Sequence, residues 1–251
     1  MALSLARSGW RLALVDLPGA AVRCMEIADV ARAHGGDAIV EPLDVRDAAA
    51  WRRLHDRLRG EWPACDLLVN GAGVGAAGLV GTLPESQWRR VIDTNLIGTA
   101  LGCETFLPWL QSHPGRSHLV NVASIAGIIA PASMASYSAS KAGVIALSES
   151  IAAECRRGRP GVTIVCPGFF RSGLLDTWHF TSAVEAREAA RRMDGTRWTA
   201  EDVAERVLAA VRRDRRYVVV GRTARWLWRL KRLAPVAMTA IMRLAYDRVR
   251  R

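Results

Sequence analysis

Ser124, Tyr137 and Lys141 are the residues of this 251-residue chain whose types and spacing most directly suggest chemistry. Tyr137 and Lys141 sit four apart in YSASK, so a helix there places them on one face. An ammonium so placed would lower the phenol's pKa from about 10 towards neutrality and make it a usable acid or base. Ser124, at the end of the apolar run HLVNVAS, would supply a second hydroxyl to hold a carbonyl or alcohol oxygen. Of 35 basic residues only Lys141 and Lys231 are lysine, so a compact, tunable amine stands where arginine is otherwise the rule. Taken alone, a Tyr and a Lys at this spacing form a surface pair in most proteins.

The elements that must position them read as an alternation of strands and helices. Helices are expected over Met1 to Ser8, Ala20 to His34, Asp47 to Leu58, Pro84 to Leu110, Tyr137 to Arg156 and Ala200 to Arg212. Strands are expected over Arg11 to Asp16, Ala38 to Leu43, Asp66 to Asn70, Ser117 to Ala123, Val162 to Cys166 and Tyr217 to Val220. Short buried strands separated by helices of ten to twenty residues are what a parallel sheet covered on both faces requires. The class is therefore α/β with a doubly wound, Rossmann-like sheet. The domain runs over 1–221, an irregular segment over about 168–199 included, and a basic extension follows over 222–251.

In such sheets ligands bind beyond the carboxyl ends of the strands. Those positions hold Asp16, Asp44, Asn70 to Gly73, Ser124 and Pro167 to Gly168. Asp16 closes the second strand of a dinucleotide-type unit, where a carboxylate accepts both ribose hydroxyls of an adenosine and repels a 2′-phosphate, so NAD is favoured over NADP. Taken alone, an Asp at a strand end is more often a turn former or helix cap. Asn70-Gly71-Ala72-Gly73 offers small residues that let a flat cofactor approach the backbone, with the Asn free to brace neighbouring strands.

Composition narrows the classes. A chain with 50% hydrophobic and 24% charged residues is neither disordered nor fibrous, and at this length it needs no disulfides to hold a core. Five scattered cysteines without a CxxC pair read as buried small apolar residues of a reducing compartment, and no metal is expected. Arg7 and Arg11 interrupt any signal-peptide core, and no stretch reaches the length of a spanning helix. A cytoplasmic location is expected. Residues 222–251 carry nine basic side chains against Asp247 alone, so most of the net charge of +11 lies in the tail, which argues against a nucleic-acid-binding body. That tail alternates Arg with Trp226, Leu227, Trp228, Leu230 and Leu233 and breaks at Pro235. It suits peripheral binding to an anionic membrane's inner face, packing on a subunit or on the core, or binding RNA through its arginines.

Together these pieces resemble the short-chain dehydrogenase/reductase family, with Asp44-Val45, NGAG at 70–73 for the family's NNAG, Asn95 in DTNLIG, Ser124 in NVASIAG, YSASK at 137–141 and Pro167-Gly168 in CPGFFRSG. The resemblance spans Met1 to about Gly221. It implies that Tyr137 is the general acid/base, that Ser124 positions the substrate oxygen, and that Lys141 binds the nicotinamide ribose while lowering the Tyr137 pKa. Asn95 would hold a water of the proton relay. Asp44 and Val45 would flank the adenine, Asn70, Gly71, Ala72 and Gly73 the adenosine side, and Pro167, Gly168, Phe169, Phe170 and Ser172 the nicotinamide. The implied activity is hydride transfer between NAD(P) and a secondary alcohol or ketone, in a homodimer or homotetramer. The segment 168–199 corresponds to the substrate lid, and its Phe169, Phe170, Leu174, Leu175, Trp178 and Phe180 point to an apolar substrate or to lid packing.

One piece of the family pattern does not occur in the sequence. The opening strand and its TGxxxGxG turn, whose amides receive the diphosphate, would lie upstream of Met1. The chain is therefore expected to be N-terminally incomplete, as a misplaced start codon would leave it. The absent strand would be the central one, so unpaired backbone groups are expected in mid-sheet. A second reading stands beside the enzyme: an inactive truncated relative acting as a binding or scaffold protein.

Overall fold

The computed structural model describes residues 1–155 and 159–250, so Arg156, the expected end of one helix, lies outside the described residues. Strands β1 (Leu12–Asp16), β2 (Ala38–Pro42), β3 (Leu67–Asn70), β5 (His118–Val122), β6 (Gly161–Pro167) and β8 (Tyr217–Val220) fall on or within a residue of the segments expected to be extended. All pair in parallel. They form two sheets, β1-β2 and β3-β5-β6-β8, with no ladder joining β1 to β3 among the described residues. The break falls where unpaired edges in mid-sheet were expected.

Shared cores hold the two sheets side by side. On one face, α3 (Ala48–Glu61) and α5 (Gly98–Gln111) bring Trp51, Leu54, Phe106 and Trp109 into one cluster, against which Ala13, Val15 and Ile39 of the small sheet and Leu68 of the large one all pack. Strand residues of alternate parity face the other side. There Val120 and Val165 meet Val203 and Val207 of α9 (Ala200–Arg212), and Met1 joins them. Further along that side α1 (Ala2–Ala6) and α2 (Ala21–Ala33) cover Leu12, Leu14 and Ala38. Caps set the helix starts. Asp47 accepts from the amides of Ala49 and Ala50, and Thr199 with Asp202 forms a reciprocal capping box that begins α9.

Two segments differ from expectation, and the tail takes one of the courses left open. The helix expected over Pro84 to Leu110 is α4 (Glu85–Ile92) and α5 separated by a π-helical turn, Asp93–Ile97. That turn carries Asn95, and such bulges re-aim a side chain that regular helix would place elsewhere. The segment expected to be irregular is largely ordered: Gly173–Thr177 is a 3₁₀ turn, β7 (His179–Phe180) pairs with β4 (Ala76–Ala77), and α8 (Ala183–Asp194) follows, started by the Ser182 hydroxyl. Finally, the basic tail is a helical hairpin, α10 (Arg222–Leu233) and α11 (Pro235–Arg250), hinged at the proline that breaks its pattern. Its Ala224 and Met238 are buried, so the hairpin packs on the domain that was expected to end at 221. In between, α6 (Ala126–Ile129) turns the chain from β5 towards α7 (Ala135–Glu154).

Candidate active site

The carboxyl ends of the strands collect the residues singled out from the sequence. Asp16 ends β1 exposed, its carboxylate accepting from the Leu17 amide. Beside it, after β2, Asp44 is chelated by the Arg46 side chain at 2.6–3.0 Å, which with the Arg46 amide pulls its pKa below the usual carboxylate range. Val45 lies half-buried, its carbonyl accepting from the Trp51 indole. The expected flanking of a ring by Asp44 thus rests on a carboxylate already held by a neighbour.

At the end of β3, Asn70 turns inwards. Its amide donates to Asn121 Oδ1 at 2.9 Å across the β3–β5 register, and Asn121 in turn donates to the Ser148 hydroxyl on α7. This buried chain braces two strands and a helix directly behind the site. Gly71 and Ala72 are exposed, and Gly73 begins the turn that approaches Asn95.

Asn95 is fully buried on the π turn. Its oxygen accepts from the Val74 amide at 2.8 Å, and its nitrogen donates to the Val74 carbonyl at 2.9 Å and to the Ser140 hydroxyl at 3.0 Å. Ser140, which sequence reasoning passed over, hands on to the Tyr137 carbonyl. This side chain, for which the resemblance implies a relay water, ties the turn after β3 to α7.

Tyr137 and Lys141 both lie buried on α7 facing the sheet ends, as a four-residue spacing dictates. The phenol and the Ser124 hydroxyl line the same cavity, and the Ser124 oxygen accepts from the Ala126 amide. The Lys141 ammonium is held by the Val122 carbonyl at 2.8 Å and stands 6.0 Å from the centre of the Tyr137 ring. Here the arrangement departs from expectation. Burial pushes the Tyr137 phenol up to about 12, and the influence of the nearby Ser124 hydroxyl offsets only part of it. Burial likewise brings Lys141 down to about 8. In so dry a setting each group is driven towards its neutral form, and the backbone carbonyl, rather than the phenol, receives the ammonium.

A cavity of about 350 Å³ opens above the two hydroxyls. The lid residues Phe169, Phe170, Leu174, Leu175, Trp178 and Phe180 all line it. Trp178 leans on the Tyr137 ring, centroids 4.9 Å apart, and stacks on Phe180. It can do so because residue 75 is glycine: a Cβ there would lie 2.3 Å from the indole. Pairing of β4 with β7 fastens that contact, with the His179 amide donating to the Gly75 carbonyl. Ser172 also lines the cavity, its buried hydroxyl without a partner. The C-terminal hairpin supplies a further wall through Ala224, Leu227, Met242 and Tyr246. The apolar spacing of the tail signalled a buried stripe, and only the folded chain reveals what it covers.

A family model described as short chain dehydrogenase matches residues 1–181. The chain is 30% identical over 254 residues to the probable oxidoreductase EphD of Mycobacterium tuberculosis, an alignment that takes in 97% of this chain but 42% of that protein, so the chain spans less than half of that relative's length. It is 31% identical over 177 residues to the 3-oxoacyl-[acyl-carrier-protein] reductase FabG of Staphylococcus aureus, covering 70% of this chain and 71% of the reductase. The crystal structure of a short chain dehydrogenase/reductase from Burkholderia phymatum in complex with NAD matches it with a TM-score of 0.84 at 29% identity, over 92% of this chain and 88% of the other.

Proposed function

The chain belongs to the short-chain dehydrogenase family, and we propose that it is a nicotinamide-dependent oxidoreductase interconverting a secondary alcohol and a ketone on an apolar substrate. The observation that carries this reading is that Ser124 and Tyr137 line one largely apolar cavity together, with Lys141 one helical turn away. A ketone oxygen seated there would accept hydrogen bonds from both hydroxyls. With its pKa well above 7, Tyr137 is protonated and donates its proton as the oxygen gains negative charge. Ser124 holds that oxygen in place, and the Lys141 charge, 6.0 Å from the centre of the phenol ring, favours the phenolate left behind.

The residues present fit a nicotinamide cofactor. A Cβ at residue 73 would stand 3.4 Å from both Asn95 Oδ1 and Lys141 Nζ, so a flat group reaches Lys141 across a glycine, and the orphaned Ser172 hydroxyl is a partner for a carboxamide. Gly71 to Gly73, Lys141, Pro167, Gly168, Phe170 and Ser172 would hold it, with Asp16, Asp44, Val45 and Asn70 towards the adenosine. When bound, such a cofactor supplies or accepts the hydride. The exposed carboxylate of Asp16 at the end of β1 supports NAD over NADP, and Asp16→Ser should narrow any difference in affinity between the two.

Tyr137→Phe tests the enzyme. It removes the proton donor while keeping the ring that packs on Trp178, so turnover of ketone substrates should fall by about 10²–10⁴-fold with dinucleotide affinity unchanged. Turnover at the wild-type rate would end the reading. The scaffold alternative draws on the unladdered junction between β1 and β3, and it predicts that the same variant keeps full biological function.

The hairpin's outer side supports peripheral membrane binding. Trp226, Leu233 and Val236 are 58%, 85% and 84% exposed beside Arg222, Arg225, Arg229 and Arg232, while no described helix is long and apolar enough to cross a bilayer. Sedimentation with anionic vesicles of the wild type and of a Trp226→Ser, Leu233→Ser, Val236→Ser variant tests it, since equal partitioning removes the idea. The five buried free thiols suit a reducing, cytoplasmic compartment. Family likeness supports a homodimer or homotetramer through the helices that carry Asn95 and Tyr137, which light scattering reads directly.

A further inference from the structure

The cavity above Tyr137 has a second polar point that the oxidoreductase reading does not use. Glu185, in the first turn of α8, lines the same cavity from the lid, and Tyr246 of α11 lines it from the C-terminal hairpin. The Tyr246 hydroxyl donates to Glu185 Oε1 at 3.1 Å. The other oxygen, Oε2, is buried and has no hydrogen-bond partner. Its neighbour Glu188 is placed differently: Arg191 and Arg192 grip both of its oxygens at 2.6–3.0 Å. Glu185 has no such cation among the described residues.

A carboxylate oxygen taken out of water and left without a donor is a costly arrangement, and such groups point to something that completes them. Since a carboxylate only accepts, what completes it must donate. We propose that Glu185, oriented by Tyr246, is a specificity subsite that receives a hydroxyl on the substrate remote from its reacting carbon. The substrate class is then an apolar hydroxy-ketone or diol: one oxygen lies between Ser124 and Tyr137, the apolar body lies against Leu175, Leu227 and Met242, and the second hydroxyl donates to Glu185 Oε2. A ketone without that hydroxyl leaves the oxygen orphaned. A substrate ending in a carboxylate would set a second negative charge against Glu185, whose charge, unlike that of Glu188, no arginine offsets among the described residues. An ammonium group would have to shed its hydration in a cavity lined mostly by apolar side chains. Because the two residues come from the lid and the hairpin, the subsite exists only when α11 is docked on α8.

This inference rests on the cavity being the substrate site, and binding tests it apart from catalysis. Methyl ketones of eight to twelve carbons, each with and without a terminal hydroxyl, are titrated into the full chain by calorimetry, together with the matching terminal acids. The expected result is that at the best-fitting length the hydroxy-ketone binds at least about tenfold more tightly than the plain ketone, and the acid more weakly than either. Glu185→Leu should erase that preference, and Glu185→Gln, which keeps one acceptor, should restore part of it. Plain and hydroxylated ketones binding equally at every length, or a preference that survives in Glu185→Leu, overturns the proposal, as does the absence of binding by all of them. Should Glu185→Leu fail to fold, the comparison on the wild type still decides. Failure of the oxidoreductase reading looks different: the hydroxy-ketone is preferred but is not reduced.

Discussion

Replacing Lys141 by Met should stabilise the ligand-free protein at neutral pH while abolishing its proposed activity. The side chain is buried, and its pKa of about 8 against an ordinary 10.5 means that the folded state disfavours the charged amine. That difference corresponds to roughly 3 kcal/mol at pH 7, where the amine is charged in both states. Met has a similar volume and no charge, but it surrenders the 2.8 Å hydrogen bond to the Val122 carbonyl, worth about 1 kcal/mol. The net gain is about 2 kcal/mol, or roughly 4–8 °C in Tm for a domain of this size. Its pH dependence separates this cause from better packing. Between pH 8 and 10.5 the unfolded wild-type chain carries a proton on this amine that the folded chain lacks, so wild-type stability climbs across that window relative to the variant. The advantage of Lys141→Met should therefore be constant below about pH 8, shrink above it, and reverse slightly beyond 10.5, where only the lost hydrogen bond remains. Differential scanning fluorimetry of both proteins from pH 6.5 to 11 measures this. A variant less stable than wild type at pH 7, or a Tm difference that does not change with pH, would refute the argument.

Two further substitutions probe the frame around the site. Asn70→Ala removes the donor to Asn121 Oδ1 in the buried brace between β3 and β5, and should cost about 1–3 kcal/mol in urea unfolding, whereas a loss below about 0.5 kcal/mol would mean that water or rearrangement replaces it. Gly75→Ala puts a methyl 2.3 Å from the Trp178 indole, so the indole must leave Tyr137 and loosen the β4–β7 pairing; limited proteolysis within 173–182 should quicken several-fold, and unchanged cleavage would show that the lid is held by other contacts.

How far the sequence carries depends on the range of the interaction involved. Strands such as Tyr217–Val220 and helices such as Ala200–Arg212 were legible because a parallel sheet buried on both faces demands apolar runs, and because Thr199 and Asp202 mark a helix start locally. Tyr137 and Lys141 were legible for the same kind of reason, a spacing that one helix converts into one face. The π turn at Asp93–Ile97 was not, since an unbroken helical pattern runs through it and the bulge is held by Asn95 bonding Val74, twenty-one residues away. Nor was the lid's order: β7 is two residues long and exists because Ala76 and Ala77 offer it an edge.

The same distinction explains the chemistry that went unread. Spacing says that an ammonium and a phenol share a face, but their pKa values are set by how completely neighbours exclude water, and here burial outweighs proximity for both groups. The tail makes the point in the opposite direction. Its arginines and tryptophans advertise an outer face, while Leu227 of α10 and Met242 and Tyr246 of α11 supply one wall of the cavity. Deleting residues 222–251 would therefore remove a wall of the proposed substrate site together with any membrane contact. Substitutions confined to Trp226, Leu233 and Val236 separate the two: if the hairpin has both roles, they should release the protein from anionic vesicles and leave hydroxy-ketone binding intact, and a parallel loss of both would mean that the outer face is needed to hold the inner one in place.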